Sequence, residues 1–208
     1  MSKCENIEKK MRKLDIFEQI VLLAFYIWFI VRLWPDTFAE VKPYLLLLLI
    51  SETFVFVLII IRRPTENISI SFRDWFIAFS GTLFPLLVSK GGEPFMPRLG
   101  LFLLLYGLFM HIGAKFSLFR SFGVVPANRG VKVKGLYAFI RHPMYTGYFF
   151  THLGFLVAAP SFWNFIVYIC TWGLYLSRIF AEERLLLGSP DYQEYKKRVP
   201  YRVIPGVF

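Results

Sequence analysis

The chain has 208 residues, of which 56% are hydrophobic and 19% aromatic, and its formal net charge is +10. This apolar content excludes an ordinary soluble domain, and several apolar runs approach the roughly 20 residues that a helix needs to cross a bilayer. Because backbone amides in hydrocarbon must be satisfied within their own segment, the sequence predicts an all-α, polytopic integral membrane helical bundle.

Six runs are predicted to cross the membrane, with both termini cytoplasmic. They are Ile16–Trp34, Tyr44–Ile61, Trp75–Val88, Leu99–Ser117, Met144–Ala159 and Phe162–Phe180. The basic N-terminus leads into the first run without a small-residue cleavage site, which favours a retained span over a signal peptide. The third run is short and contains glycine and proline, so a re-entrant segment is the alternative there.

The positive charge indicates orientation. With six crossings, twenty of the 24 lysines and arginines face the cytoplasm, and only Arg32, Lys42, Lys90 and Arg98 face the other side. If the third run did not cross the membrane, the basic 115–141 segment would lie on the side that has few lysines and arginines. The distribution therefore follows the positive-inside rule and indicates contact with anionic lipid, and nucleic acid is not an expected partner.

Residues 1–117 are predicted to be scaffold helices within a single domain, because their apolar runs contain few polar groups. Two exceptions are Glu52 and His111, which we expect to face the bundle and hydrogen-bond to a neighbouring helix. Cys4 and Cys170 cannot plausibly bridge, and the three histidines lack metal-ligand spacing, so no metal site is predicted.

Residues 118–208 differ in character and are predicted to be the functional portion. Ser121–Phe139 mixes glycine, proline, asparagine and basic residues over a length too great for a tight turn, and long ordered loops tend to be functional. His142 precedes Pro143, a residue that suits the first turn of a helix, so His142 is predicted at the N-cap. The alternative for Arg141 and His142 is a belt at the lipid headgroups.

The last two runs are predicted to form an antiparallel hairpin. Pro160 breaks the apolar stretch, and the short connection returns the chain to the face where it started, so His142 and Glu182 lie at the same depth. Arg178 and Glu182 are four residues apart and share a helix face. They form either a site or an interfacial ion pair, whereas Glu183 points to solvent or to the C-terminal helix.

A short C-terminal helix is predicted to begin at Ser189, as N-cap, and Pro190. It carries Tyr192 and Tyr195 followed by three basic residues. Such a segment is typical of an aromatic interfacial anchor, and it could also form a lid over a site between the last two helices.

Three ordered motifs resemble one known family. The run Gly135-Leu136-Tyr137…Arg141-His142-Pro143-Met144-Tyr145-Thr146-Gly147, the run Glu182-Glu183-Arg184-Leu185-Leu186, and the tail Tyr192-Gln193-Glu194-Tyr195…Pro200 carry the resemblance. They are similar to the isoprenylcysteine carboxyl methyltransferase and phospholipid methyltransferase family. The resemblance covers roughly the last 90 residues, and Pro126 and Arg129 depart from the glutamine and histidine of the prenylcysteine enzymes.

The resemblance implies a membrane enzyme that uses S-adenosyl-L-methionine at the cytoplasmic ends of the last helices. The implied cofactor contacts are Val131, Lys132, Tyr137, His142, Pro143, Met144, Tyr145, Glu182 and Glu183. Arg178 resembles the family arginine that holds or orients the methyl acceptor. His142 is expected as a ligand contact, and a general base is the alternative role.

The implied reaction is transfer of a methyl group to a lipophilic acceptor, either an isoprenylcysteine-like carboxylate or a phospholipid amine. An in-line displacement from a sulfonium depends mainly on alignment, and a carboxylate acceptor needs no general base. Two alternatives are a membrane reductase that uses NADPH, with sterol-reductase-like architecture, and a non-enzymatic lipid-binding protein. The expected location is the inner membrane in a bacterium or the endoplasmic reticulum in a eukaryote.

Overall fold

The computed structural model describes residues 3–33, 53–89, 93, 95–158 and 160–208. These residues form helices and connecting loops, and their one β-type pairing is an isolated antiparallel bridge between Ile68 and Ala127. The prediction of an all-α fold is therefore confirmed. The helices are α1 (Lys3–Leu33), α2 (residues 53–61), α3 (Phe72–Leu83), α4 (Pro97–Leu118), α5 (Pro143–Ala158), α6 (Phe162–Leu186) and α7 (Pro190–Arg198).

Glycines allow α4 and α5 to pack with their backbones in close approach. A Cβ atom added at Gly147 would lie 2.5 Å from the backbone nitrogen of His111, and one at Gly154 would lie 2.6 Å from that of Leu104. No real side chain fits in such a space. Small residues at helix contacts are a common packing solution in membrane bundles, and here they fix α5, which begins at the functional motif.

The chain turns after α5 and returns as α6, which begins at Phe162. Helix α6 also packs against α3 and against the 3₁₀ turn that follows it, Phe84–Leu87. At one end the side-chain oxygen of Asn164 accepts a hydrogen bond of 2.9 Å from the backbone of Ser89, and at the other end Arg184 pairs with Asp74 at 2.7 Å. These contacts fix the second helix of the hairpin along its length.

The loop between α4 and α5 is held against the segment that follows α2. The backbone of Arg63 donates to the carbonyl of Arg120 at 2.7 Å, and Asn128 donates to the carbonyl of Asn67 at 2.8 Å. Beneath this layer, Phe122, Val124 and Val125 are buried in an apolar core with residues of α1 and α2. The long loop predicted at Ser121–Phe139 is thus an ordered wall built on the N-terminal helices.

Two of the described helical stretches are long and apolar enough to cross a membrane, Pro97–Ser121 and Phe162–Leu186. The number of crossings and the side on which the termini lie stay predictions. The first half of the second predicted run, residues 44–52 with Glu52 among them, lies outside the described residues.

Candidate functional site

The start of α5 and the end of α6 meet, as the hairpin prediction requires. Nε2 of His142 lies 3.2 Å from Oε1 of Glu183, and Nδ1 lies 3.7 Å from Oε2 of Glu182. The hydroxyl of Tyr145 donates to the Glu182 carboxylate at 2.5 Å. Because α5 begins at Pro143, His142 immediately precedes the first residue of the helix, and Tyr145 lies within the first helical turn. Two distant stretches of chain therefore form one polar cluster.

The two glutamates have different surroundings. Glu183 is 4% exposed, and its carboxylate pairs with Arg141 at 3.1 Å and with Arg202 at 3.0 Å. Two guanidiniums and the imidazole thus occupy its oxygens. The predicted alternatives for Glu183 are solvent and the C-terminal helix, but the residue is buried, and its partner Arg202 lies in the segment that follows that helix. Glu182 is more open, with a quarter of its side chain accessible, and its carboxylate is the one that faces the space next to the cluster.

The C-terminal segment covers the cluster through its backbone and side chains. The backbone nitrogen of Arg141 donates to the carbonyl of Tyr201 at 2.9 Å, and that of His142 donates to the carbonyl of Arg202 at 2.8 Å. The guanidinium of Arg202 lies over the ring of Phe208 at 4.9 Å. Beneath this cover His142 is only 6% exposed.

Helix α7 closes another side of the same region. It begins at Pro190 after Ser189, as predicted. Tyr195 is buried, and its hydroxyl donates to the carbonyl of Tyr137 at 2.7 Å. Burial raises the pKa of both phenols, which keeps Tyr195 in the neutral form that can donate this bond. The bond ties α7 to the loop that leads into α5.

A cleft lies between these elements and contains about 880 Å³ of empty space, its open mouth included. Seven of the nine residues predicted as cofactor contacts line it: Val131, Lys132, Tyr137, His142, Met144, Tyr145 and Glu182. Pro143 and Glu183 do not line it. Pro143 starts the helix behind the wall, and Glu183 faces its arginine partners.

Arg178 lines both this cleft and a second cavity beside it. Its Nη2 donates to the carbonyl of Val124 at 3.0 Å, and its guanidinium lies 5.6 Å from the ring centre of Tyr145. The Nε atom is enclosed without a hydrogen-bond partner among the described residues. Since Arg178 is only 8% exposed, it is a fixed cation with unused donor capacity between the two spaces.

A buried ion cluster supports the cleft wall and was not foreseen from the sequence. Asp15 and Glu18 of α1 pair with Arg62 and Arg129. Glu18 also accepts hydrogen bonds from the backbone nitrogens of Val124 at 2.9 Å and Val125 at 2.8 Å. The scaffold helices therefore contain more polar structure than the prediction allowed. The missed signal was Glu18 itself, a carboxylate inside the first predicted span, where a charge needs a partner.

The expected hydrogen bond of His111 to a neighbouring helix is not present among the described residues. Its Nδ1 atom is enclosed without a partner, and the ring packs on Tyr148 of α5 with centroids 5.3 Å apart. The prediction that His111 faces the bundle is correct, but the interaction is aromatic. His111 also lies against Gly147, where an added Cβ atom would be 2.6 Å from the Cβ atom of His111.

Comparisons with known proteins agree with the sequence resemblance. Residues 100–188 match the model of the isoprenylcysteine carboxyl methyltransferase (ICMT) family. The protein-S-isoprenylcysteine O-methyltransferase of Schizosaccharomyces pombe is 29% identical over 102 residues, which are 45% of this chain and 43% of that protein. The Homo sapiens protein of the same name is 31% identical over 109 residues, 49% of this chain and 38% of its own length. The matched region spans less than half the length of these relatives.

A solved structure shares the fold. The eukaryotic intramembrane Ras methyltransferase isoprenylcysteine carboxyl methyltransferase superposes with a TM-score of 0.53 at 18% identity, covering 79% of this chain and 65% of that chain. The family model and the two relatives confirm the family resemblance, and the solved structure agrees with the fold. The family match contains the hairpin, His142, Arg178 and both glutamates.

Proposed function

We propose that this chain is an integral membrane methyltransferase that uses S-adenosyl-L-methionine and methylates a lipophilic acceptor. An isoprenylcysteine-like carboxylate is the favoured acceptor class. The observation that carries the proposal is the junction at Tyr145, which donates to the Glu182 carboxylate on one side and lies under Arg178 on the other. Tyr145 would thus lie between the site of the methyl donor and the site of the methyl acceptor.

The residues of the cleft fit the proposed cofactor. The partly exposed carboxylate of Glu182 can accept hydrogen bonds from ribose hydroxyls or pair with an ammonium group. The buried phenol rings of Tyr192 and Tyr195 give an apolar aromatic surface suited to a purine base. His142, fixed between two carboxylates, presents a ring of set orientation. When bound, the sulfonium supplies an electrophilic methyl group.

Arg178 is the residue that we assign to the acceptor. A carboxylate acceptor is already nucleophilic and needs no general base, so the protein has to hold it in line and exclude water. The free Nε of Arg178 is a suitable donor for one carboxylate oxygen, while its Nη2 stays on the Val124 carbonyl. Positioning of this kind can contribute about 7–11 kcal/mol to a two-substrate reaction.

The membrane arrangement is part of the proposal. Six crossings with cytoplasmic termini would place the cleft at the cytoplasmic face and let the acceptor enter from the bilayer. The basic residues that line the cleft, such as Lys132 and Arg129, support that side. The compartment is the inner membrane in a bacterium and the endoplasmic reticulum in a eukaryote.

The test is transfer of a labelled methyl group from S-adenosyl-L-methionine to N-acetyl-S-farnesyl-cysteine by the purified chain in detergent. We expect transfer to this carboxylate, and loss of transfer in Arg178→Lys, which cannot reproduce the planar fork. If the label appears only in phospholipid amines, the acceptor is an amine and not a carboxylate. Stabilisation by NADPH and not by S-adenosylhomocysteine would indicate the reductase. A chain that neither ligand stabilises would be a lipid-binding protein.

A further inference from the structure

The second cavity contains polar groups that a plain hydrocarbon cannot satisfy. It holds about 1090 Å³ of empty space with its opening, and it shares Gly123, Met144 and Arg178 with the cofactor cleft. His111 of α4 and His152 of α5 line it. The two spaces therefore meet at the residue that we assign to the acceptor, and the second space continues from there into the bundle.

The two imidazoles have aromatic neighbours but no hydrogen bonds to other described residues. His111 is 5% exposed and His152 is 7% exposed, and Nδ1 of each ring is enclosed without a partner. His152 stacks on Tyr168 with centroids 4.2 Å apart, and His111 packs on Tyr148. Stacking fixes where the rings lie. The enclosed Nδ1 atoms are out of reach of a ligand, whereas the Nε2 atoms have no hydrogen-bond partner among the described residues and are the nitrogens that the cavity can reach.

Imidazoles without hydrogen-bond partners beside a cavity can discriminate between ligands with and without a polar group. A neutral imidazole carries one donor and one acceptor, and covering it with hydrocarbon forfeits its hydrogen bonds to water. A hydroxyl or carbonyl on the ligand restores them. Sites built to hydrogen-bond a polar group discriminate strongly against the analogue that lacks it, whereas an apolar pocket discriminates weakly between similar hydrocarbons.

We infer that the second cavity takes the apolar body of the acceptor and that His111 and His152 select an acceptor carrying an oxygen function, a hydroxyl or carbonyl, away from its methylated end. This inference rests on the proposed function and narrows its substrate class. The two histidines are specificity-determining residues, and they take no part in the methyl transfer itself.

The test compares two probes that differ in one oxygen. N-acetyl-S-farnesyl-cysteine is matched with its analogue hydroxylated on the terminal isoprene, and both binding and kcat/KM are measured for the full chain in detergent. We expect the wild type to prefer the hydroxylated probe tenfold or more, equivalent to about 1.4 kcal/mol. In His111→Phe and His152→Phe the ratio between the two probes should fall toward one, chiefly because the probe without the hydroxyl binds more tightly than it does to the wild type.

A control variant and a folding readout keep the outcomes separate. Leu108→Val changes the shape of the same cavity without changing its polarity and should retain the preference. Stabilisation by S-adenosylhomocysteine, measured on every variant, reports an intact cofactor cleft. Equal binding of the two probes by a wild type that S-adenosylhomocysteine stabilises would overturn this inference alone, as expected if water satisfies the histidines. Probe selectivity without any effect of S-adenosylhomocysteine would instead contradict the proposed function.

Discussion

Replacement of Glu18 by glutamine should destabilise the protein although the residue lies far along the chain from the motifs. The carboxylate has four close contacts: Val124 N and Val125 N on one oxygen, and the guanidiniums of Arg62 at 2.9 Å and Arg129 at 3.2 Å on the other. Glutamine has similar size and retains one acceptor oxygen, but it removes the charge. Two buried cations then share the single carboxylate of Asp15.

The magnitude follows from this imbalance. Removing one partner of a buried ion pair costs about 3–5 kcal/mol, because a buried charge is left uncompensated. Asp15 still contacts both arginines, so we expect the lower end, about 3 kcal/mol. For a chain of this size that corresponds to a fall in Tm of about 6–12 °C.

The assay is thermal unfolding of the wild type, Glu18→Gln and Glu8→Gln in the same detergent. Glu8 is exposed on the same helix, and its substitution should leave Tm within about 2 °C of the wild type. An equally small change for Glu18→Gln would refute the reasoning, since it would mean that Asp15 alone compensates the charges of Arg62 and Arg129.

Two further substitutions test the helix packing and the C-terminal cover. Gly147→Ala would place a Cβ atom 2.5 Å from the backbone nitrogen of His111, so we expect the free energy of unfolding to fall by about 1–3 kcal/mol, measured by thermal unfolding. The control is Gly173→Ala, where an added Cβ atom meets open space, and this substitution should be neutral or stabilising. Equal Tm values for the two variants would contradict the close α4–α5 contact. Arg202→Gln removes an ion pair with Glu183, and it should loosen the cover and weaken S-adenosylhomocysteine binding about tenfold in calorimetry. Unchanged affinity would show that the cover does not shape the cleft.

The hairpin and the proximity of its two open ends could be predicted from the sequence because local signals decide them, whereas the cofactor contacts were implied only by the family resemblance. Pro143 and Pro160 mark where the helices begin and turn, and a short connection allows only an antiparallel return. The depth of His142 and Glu182 follows from this geometry, and the structure confirms it. A proline followed by an apolar run is a strong signal since it restricts the backbone directly.

The tertiary ion cluster could not be predicted with the same rules. Asp15 and Arg129 are separated by 114 residues, and nothing local specifies that they meet. The orientation of Glu183 was likewise left open, because the position of Arg202 depends on how the last ten residues fold back. Residue spacing on one helix determines a face, but the partner of that face is set by packing between elements.

Calorimetric titration of S-adenosylhomocysteine into the detergent-solubilised wild type and Glu182→Gln tests the central claim most directly. The claim is that the ends of α5 and α6 form one cofactor site beneath the C-terminal cover. Glu194→Gln, an exposed glutamate on α7, serves as the matched control. We predict saturable binding to the wild type and the control, with at least tenfold weaker binding to Glu182→Gln. Identical affinity in all three proteins, or no binding to the wild type, would contradict the account.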